Sequence, residues 1–270
     1  MANRTGILVA FTALCIAAAF LAPAMPQPVS YHDFADHREW FGIHNFFDVA
    51  SNVGFLLAGL VGLAVVLRPE TRLEHAVERV PYLVFFVGMV LTAAGSGYYH
   101  LKPDNERLFW DRLPMTIAFM SLIAAQVCDR ISVRAGILLL APMLLVGAAS
   151  VVYWRATERA GAGNVMPYGI LQGYSVVILL LIALWRPSRY TRGSDIIWVF
   201  AGYVAAKLFE LLDAQLLALG HLLSGHTLKH LAAALAGLVV CRMLALRALR
   251  APARELAPAP AGAARRLTGA

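Results

Sequence analysis

Long uncharged apolar runs dominate this chain and determine its fold class. Each run is about 17 to 23 residues long, which is the length of α-helix that crosses the hydrocarbon core of a bilayer. The runs are continuous and lack the alternation of a barrel strand, so they predict membrane helices. We expect an all-α polytopic membrane protein, a bundle of seven core helices with an additional N-terminal apolar helix or signal peptide. The runs lie at residues 6–24, 46–67, 80–101, 112–128, 133–154, 166–185, 194–216 and 226–246.

The composition agrees with the apolar pattern, because 60% of the residues are hydrophobic and only 14% are charged. A soluble domain of this length could not bury so much apolar surface. The first run, within residues 1–25, has Arg4 before its apolar centre and Ala-Pro-Ala at 22–24 as a candidate cleavage site. That pattern is typical of a signal peptide, but the centre is long and the proline is unfavourable for cleavage. An uncleaved helix therefore remains the alternative.

The rest of the chain divides into one domain and a tail. Residues 26–249 have short loops and no internal repeat, which predicts a single helical domain. A leader segment, residues 27–45, carries acids, histidines and aromatic side chains before the first core helix. Residues 250–270 mix alanine, proline and arginine without apolar periodicity, which is typical of a disordered cytoplasmic tail.

The net charge of +7 comes from arginines whose positions indicate membrane topology, and the sequence gives no support for nucleic-acid binding. Arginines cluster after alternate helices and in the tail, as expected of cytoplasmic loops. The core bundle is therefore expected to run from an outside N-terminus to a cytoplasmic C-terminus, with the lipid bilayer as its partner and no nucleic acid. The arginine-rich and alanine-rich composition suggests a bacterial inner membrane. The sequence makes no prediction of the oligomeric state.

Three histidines stand at helix ends on the predicted outer side. His100 closes the second core run, while His226 and His230 open the last and share one face of their helix. Ionisable side chains at membrane depth are costly and usually functional. Three histidines with an open fourth position form the ligand set of a catalytic zinc. Hydrogen-bonded histidines at the membrane interface are the alternative.

Two further polar residues fall at the same predicted depth. Ser96 lies four residues before His100 and on the same helix face. It is either functional or a small residue that eases packing and bonds its hydroxyl back to a carbonyl. Asp111 is a candidate proton carrier, but it could also favour the start of a helix or pair with Arg112.

Taken together, these motifs resemble the alkaline ceramidase family. The shared pattern is Ser-xxx-His at 96–100, then Asp111, then His-xxx-His at 226–230. That family belongs to a superfamily of seven-helix membrane hydrolases, which includes the adiponectin receptors and the Per1-like proteins. The similarity spans residues 45–246, and Asp-x-Leu-Pro-Met at 111–115 points to the ceramidase branch.

The resemblance implies a zinc-dependent amidase that cleaves ceramide or a related N-acyl lipid into a fatty acid and a long-chain base. Asp111 would take a proton from water and pass it to the leaving amine, and Ser96 would hydrogen-bond the carbonyl oxygen. Asp213 matches an aspartate of the family's sixth helix and would position a zinc histidine. The alternatives are a hydrolase of another lipid amide or ester and a non-enzymatic receptor with a structural zinc. The Zn²⁺ ligands would be His100, His226 and His230.

The leader segment departs from the family. Eukaryotic alkaline ceramidases carry an acidic calcium-binding segment that leads into Glu-Phe-Trp-Asn-x-x-Ser-Asn, whereas residues 45–52 read NFFDVASN here. An asparagine therefore replaces that glutamate. Oxygen ligands for Ca²⁺ are still available, with a solvated and capped helix start as the alternative. The candidate calcium ligands are Asp33, Asp36, Asn45 and Asp48.

Overall fold

The computed structural model describes residues 2–250, so the predicted tail beyond residue 250 lies outside the described residues. Within that range the chain forms α-helices and short 3-10 helices, with isolated β-bridges and no named strand. This confirms the all-α prediction. The helices are α1 (Ala2–Leu21), α2 (Phe46–Ala50), α3 (Val53–Leu67), α4 (Arg79–Leu101), α5 (Asn105–Arg130), α6 (Val133–Arg159), α7 (Met166–Trp185), α8 (Ile196–Leu211), α9 (Asp213–Gly220) and α10 (Gly225–Leu246).

Seven helical segments between residues 2 and 250 are long and apolar enough to cross a membrane. They are α1, the joined α2 and α3, and α4, α5, α6, α7 and α10. The chain is therefore an integral membrane protein. The 15 to 27 residues of the individual long helices agree with the roughly 20 that a bilayer requires.

The predicted sixth core helix, 194–216, is not continuous. Helix α8 ends at Leu211, Leu212 leaves helical geometry with φ −103° and ψ 24°, and α9 begins at Asp213. The start of α10 packs into this break, where a Cβ on Gly225 would overlap the carbonyl oxygen of Phe209. A hydropathy pattern cannot register such a break, because the residues on both sides of it are equally apolar.

The helices pack around α4, which contacts α3 and α5, and around α10, which contacts α3 and α8. Buried side chains of these helices form one core cluster, in which Val66, Phe86 and Val240 have no exposed surface. Helix α1 packs at the edge of the bundle against α7, where the rings of Phe11 and Tyr174 stack at 5.8 Å.

Helices α4 and α5 approach most closely at Gly95. A Cβ at this position would overlap the carbonyl oxygen of Trp110. Pro114, four residues further along α5, has no N–H to donate to that carbonyl, so the oxygen has no helical partner. The motif around residues 95 and 110–114 thus allows two backbones to meet, which places Ser96 beside Asp111.

Helix α5 begins earlier than predicted. Its N-cap is Asp104, whose carboxylate accepts a hydrogen bond from the backbone N–H of Arg107 at 2.7 Å. Asp111 is consequently about two turns inside the helix, and the interpretation of this residue as helix-start chemistry is wrong.

Candidate functional site

The three predicted histidines meet at one end of the bundle. His100 comes from the last turn of α4, and His226 and His230 come from the first two turns of α10. One ligand nitrogen from each lies within 4.8 Å of the others. The ring centroids are 4.8 Å apart for His100 and His226, 5.0 Å for His100 and His230, and 4.8 Å for the pair on α10. The group could therefore hold a metal ion.

The hydrogen bonding of the imidazoles supports this assignment. Nδ1 of His100 and Nε2 of His226 are buried, and neither has a hydrogen-bond partner among the described residues. Nδ1 of His230 lies 2.8 Å from the hydroxyl of Ser51. Buried polar atoms are nearly always paired. Unpartnered ring nitrogens that converge in a buried site are therefore what a metal ligand set requires, and the residues present fit such an ion.

Polar groups from other elements hold the first turn of α10. The hydroxyl of Ser224 caps the helix by accepting from the N–H of Thr227 at 3.0 Å. The buried carboxylate of Asp48, in α2, accepts from the hydroxyl of Thr227 at 2.7 Å. Asp213 accepts from the N–H of His226 at 2.7 Å. Asp213 thus contacts a metal-site histidine through the backbone and not through the imidazole.

The leader segment covers two of the three histidines, His100 and His226. The ring of Phe34, which is 5% exposed, lies 4.7 Å from His100 and 4.3 Å from His226 between centroids. The N–H of Ala35 donates to the second oxygen of Asp213 at 2.9 Å, which ties the leader to the start of α9. These contacts exclude bulk water from one side of the site, and the sequence pattern alone did not reveal them.

The three candidate aspartates for calcium do not form a ligand group in residues 2–250, where the histidine cluster is the group found. Asp36 pairs with Arg38 at 2.5 Å. Asn45 donates its side-chain N–H to the carbonyl of His100 at 3.0 Å. Asp48 holds Thr227, and Asp33 is exposed. Asp36, Asn45 and Asp48 thus have structural partners, and the last two tie α2 and its N-cap to the helices that carry the histidines.

Arg38 also affects the ionisation of Asp36. Burial by itself raises the pKa of the Asp36 carboxyl, but the hydrogen bonds and positive charge of Arg38 outweigh burial and hold the pKa below its ordinary value of 3.8. Arg38 further donates to the carbonyl oxygens of His221 and Leu222, at 3.1 and 2.7 Å. The pair therefore links the leader to the loop before α10.

A cavity of about 450 Å³ adjoins the three histidines, and the other two predicted residues, Ser96 and Asp111, line it. His230, Ser96 and Asp111 all line it, with the Ser96 hydroxyl next to the Asp111 carboxylate. Most of the remaining wall is apolar, and α4, α5 and α8 contribute Phe85, Met89, Met115, Phe119 and Val199 to it. A polar wall with a metal ligand thus faces space suited to a hydrocarbon chain.

The cavity also holds charged residues that the sequence pattern only partly indicated. Lys229, between the two α10 histidines, donates to Glu210 at 2.9 Å, and Lys207 donates to the same carboxylate at 2.5 Å. Lys207 and Glu210 thus pair along one face of α8, whereas Asp213 contacts α10 and the leader. A lysine inside an apolar run was the available signal for Lys229.

These observations define a class, an integral all-α membrane protein with a buried three-histidine group that could hold a metal ion, next to an apolar cavity. A search of protein-family models and a search of curated proteins find no match to this chain.

Proposed function

We propose that this protein is an intramembrane zinc-dependent hydrolase that cleaves the amide bond of ceramide-like lipids and releases a fatty acid and a long-chain base. One observation carries the proposal. A buried group of three histidines adjoins a largely apolar cavity in a membrane protein, and one of them, His230, lines that cavity together with Ser96 and Asp111. Such a wall would combine metal, acid–base and hydrogen-bonding chemistry at a place that suits the chain of a lipid-like molecule.

His100, His226 and His230 would hold the metal. Three neutral imidazoles without a carboxylate suit Zn²⁺, which keeps an open position in catalytic sites. When bound, such an ion polarises a carbonyl oxygen and acidifies a water molecule. His100, His226 and His230 are 1%, 4% and 3% exposed, so hydrogen bonds from bulk water do not compete with the metal for their imidazole nitrogens.

Asp111 and Ser96 supply the remaining chemistry. The Asp111 carboxylate accepts a proton from the attacking water and returns it to the amine nitrogen as the amide bond breaks. The Ser96 hydroxyl donates a hydrogen bond to the amide oxygen as negative charge develops on it. Both side chains line the cavity next to each other, so one bound amide can contact both.

The apolar part of the cavity takes the acyl chain, which a lipid can bring sideways from the bilayer. From the arginine-rich and alanine-rich composition we infer a bacterial inner membrane as the location. From the arginine distribution we infer that the core N-terminus is outside and the C-terminus is in the cytoplasm. The site would then lie in the outer leaflet, where it can act on lipids of that leaflet.

The test is a mass-spectrometric assay of purified zinc-loaded protein against ceramides, other N-acyl lipids and lipid esters. We expect free fatty acid from ceramide, loss of activity on chelation and recovery on zinc addition. The variants His226→Ala and His230→Ala should lose both zinc and activity, while His44→Ala, at an exposed histidine of the leader, should keep both. Full zinc content and activity in His226→Ala would refute the site. Cleavage of other lipids only would move the assignment to another amide or ester.

A further inference from the structure

Arg112 lines the same cavity and is 5% exposed. Its guanidinium lies against three aromatic rings from different parts of the chain. The distances from Cζ to the ring centroids are 5.3 Å for Tyr31 in the leader, 4.5 Å for Trp154 in α6 and 4.9 Å for Tyr168 in α7. These cation–π contacts hold the side chain in place and bury it without neutralising it.

The hydrogen bonds of this guanidinium leave it without a counter-charge. Nη2 donates to the neutral side-chain oxygen of Gln27 at 2.7 Å. Nη1 is buried and has no partner within residues 2–250, and the neighbouring Asp111 forms no ion pair with Arg112. Arg155 also lies over an aromatic ring, but unlike Arg112 it has an anionic partner, Glu106, at 2.6 Å. A buried cation that lacks an anionic partner is costly.

The two lysines of the cavity already share one acidic partner. Three cationic and two acidic side chains line it, namely Arg112, Lys207, Lys229, Asp111 and Glu210. Glu210 accepts from both lysines, so one carboxylate serves two cations. With Asp111 counted as a carboxylate, three cations against two acids leave the lining with an excess of one positive charge. Arg112 is the cavity cation with a buried donor, Nη1, that has no hydrogen-bond partner within residues 2–250.

We propose that Arg112 binds an anionic group, a carboxylate or a phosphate, carried by the amphiphile that occupies the cavity. An arginine donor to such an oxygen makes a charge-assisted hydrogen bond and supplies the missing partner of Nη1. The apolar wall receives the chain, so the anion belongs to a lipid and not to a free ion. The inference rests on the proposed function in one respect, since it names acidic N-acyl lipids as the preferred substrate class of that site.

Binding of a matched pair tests this directly. N-dodecanoylglycine and its methyl ester share the chain and the amide and differ in the carboxylate. Both ligands are titrated by calorimetry into zinc-loaded protein in a neutral detergent. The titration is run in the cold, and mass spectrometry verifies that the ligand stays intact. We expect the Kd of the acid to be at least about tenfold lower than that of the ester. Equal Kd values in the wild type would overturn the proposal, whatever the variants do.

Variants assign the preference to Arg112. Arg112→Gln should bind the ester as the wild type does and lose the tenfold preference, and Arg112→Lys should keep part of it. Arg155→Gln removes a guanidinium that lies over Phe109 outside the cavity lining, and it should retain the full preference. A preference that survives in a folded Arg112→Gln protein would place the anion elsewhere, for example on the metal, and would refute the role of Arg112.

Two further results separate the alternatives. Inorganic phosphate that displaces N-dodecanoylglycine at comparable concentration would assign the site to a free anion and overturn the lipid assignment. Hydrolysis is measured separately. A charge preference without cleavage of any lipid supports the anion site while the proposed function fails, whereas cleavage of ceramide with equal Kd values for the pair refutes the anion site alone.

Discussion

The hydroxyl of Ser51 lies 2.8 Å from Nδ1 of His230 and 3.0 Å from the carbonyl oxygen of Asp48. Because a serine has a single hydroxyl proton, and the carbonyl can only accept, Ser51 donates to Asp48 and accepts from Nδ1–H of His230. This tautomer leaves Nε2 of His230 free to act as a metal ligand. The turn between α2 and α3 thus orients an imidazole on α10.

Replacing Ser51 by alanine should weaken the metal site without removing a ligand. Loss of such an outer hydrogen bond typically lowers metal affinity by about 10- to 100-fold. A competition titration with a chromophoric zinc chelator measures this change. Ser175→Ala is the matched control, because Ser175 is also buried and donates to a backbone carbonyl, that of Leu171 in α7, away from the histidines. Unchanged zinc affinity in Ser51→Ala would remove the proposed role of this contact.

Asp111→Asn separates proton transfer from metal binding. The amide keeps the size of the carboxylate but cannot accept a proton, so kcat should fall by about 10²- to 10⁴-fold while the zinc content remains that of the wild type. Zinc analysis and lipid turnover on the same preparation check both quantities. Asp33→Asn, in the exposed part of the leader, should leave turnover unchanged. Loss of zinc together with activity would instead make Asp111 a metal ligand.

Gly95→Ala tests the close approach of α4 and α5. The added methyl group would overlap the carbonyl oxygen of Trp110, and overpacking of this kind usually costs about 1–3 kcal/mol. The thermal unfolding midpoint in detergent should fall, and activity should fall with it because Ser96 and Asp111 move apart. Gly97→Ala, in the same helix, has open space within 4 Å of the new methyl group and should be neutral. Equal midpoints for the two variants would contradict this packing argument.

The Asp36–Arg38 pair predicts a pH dependence of stability. The folded-state pKa of Asp36 lies below its ordinary value of 3.8, so the stabilisation is complete above that value and is lost as the pH falls through the lower folded-state pKa. Asp36→Asn should therefore lower the unfolding midpoint by a constant amount near neutral pH. The difference from the wild type should shrink below about pH 4. A difference that grows on acidification would have the wrong sign for this pair.

Much of the helical architecture was predictable because helix length and apolarity are local properties. The run 166–185 coincides with α7, and the run 226–246 differs from α10 by a single residue. The sequence pattern also selected the three histidines that converge, since topology assigns their helix ends to one side of the bundle. The prediction of a continuous helix at 194–216 was wrong, because the break at Leu212 depends on the packing of α10 and not on the composition of the helix itself.

The sequence by itself determined the number and span of most helices, the membrane class and the residues that could bind a metal. Only the tertiary structure decided how those residues are oriented and covered. Ser51 meets His230 across 179 positions, Asp48 meets Thr227 across the same separation, and Gln27 meets Arg112 across 85. Such contacts depend on the rotation and close approach of helices, which hydrophobic periodicity leaves open because many arrangements bury the same apolar faces.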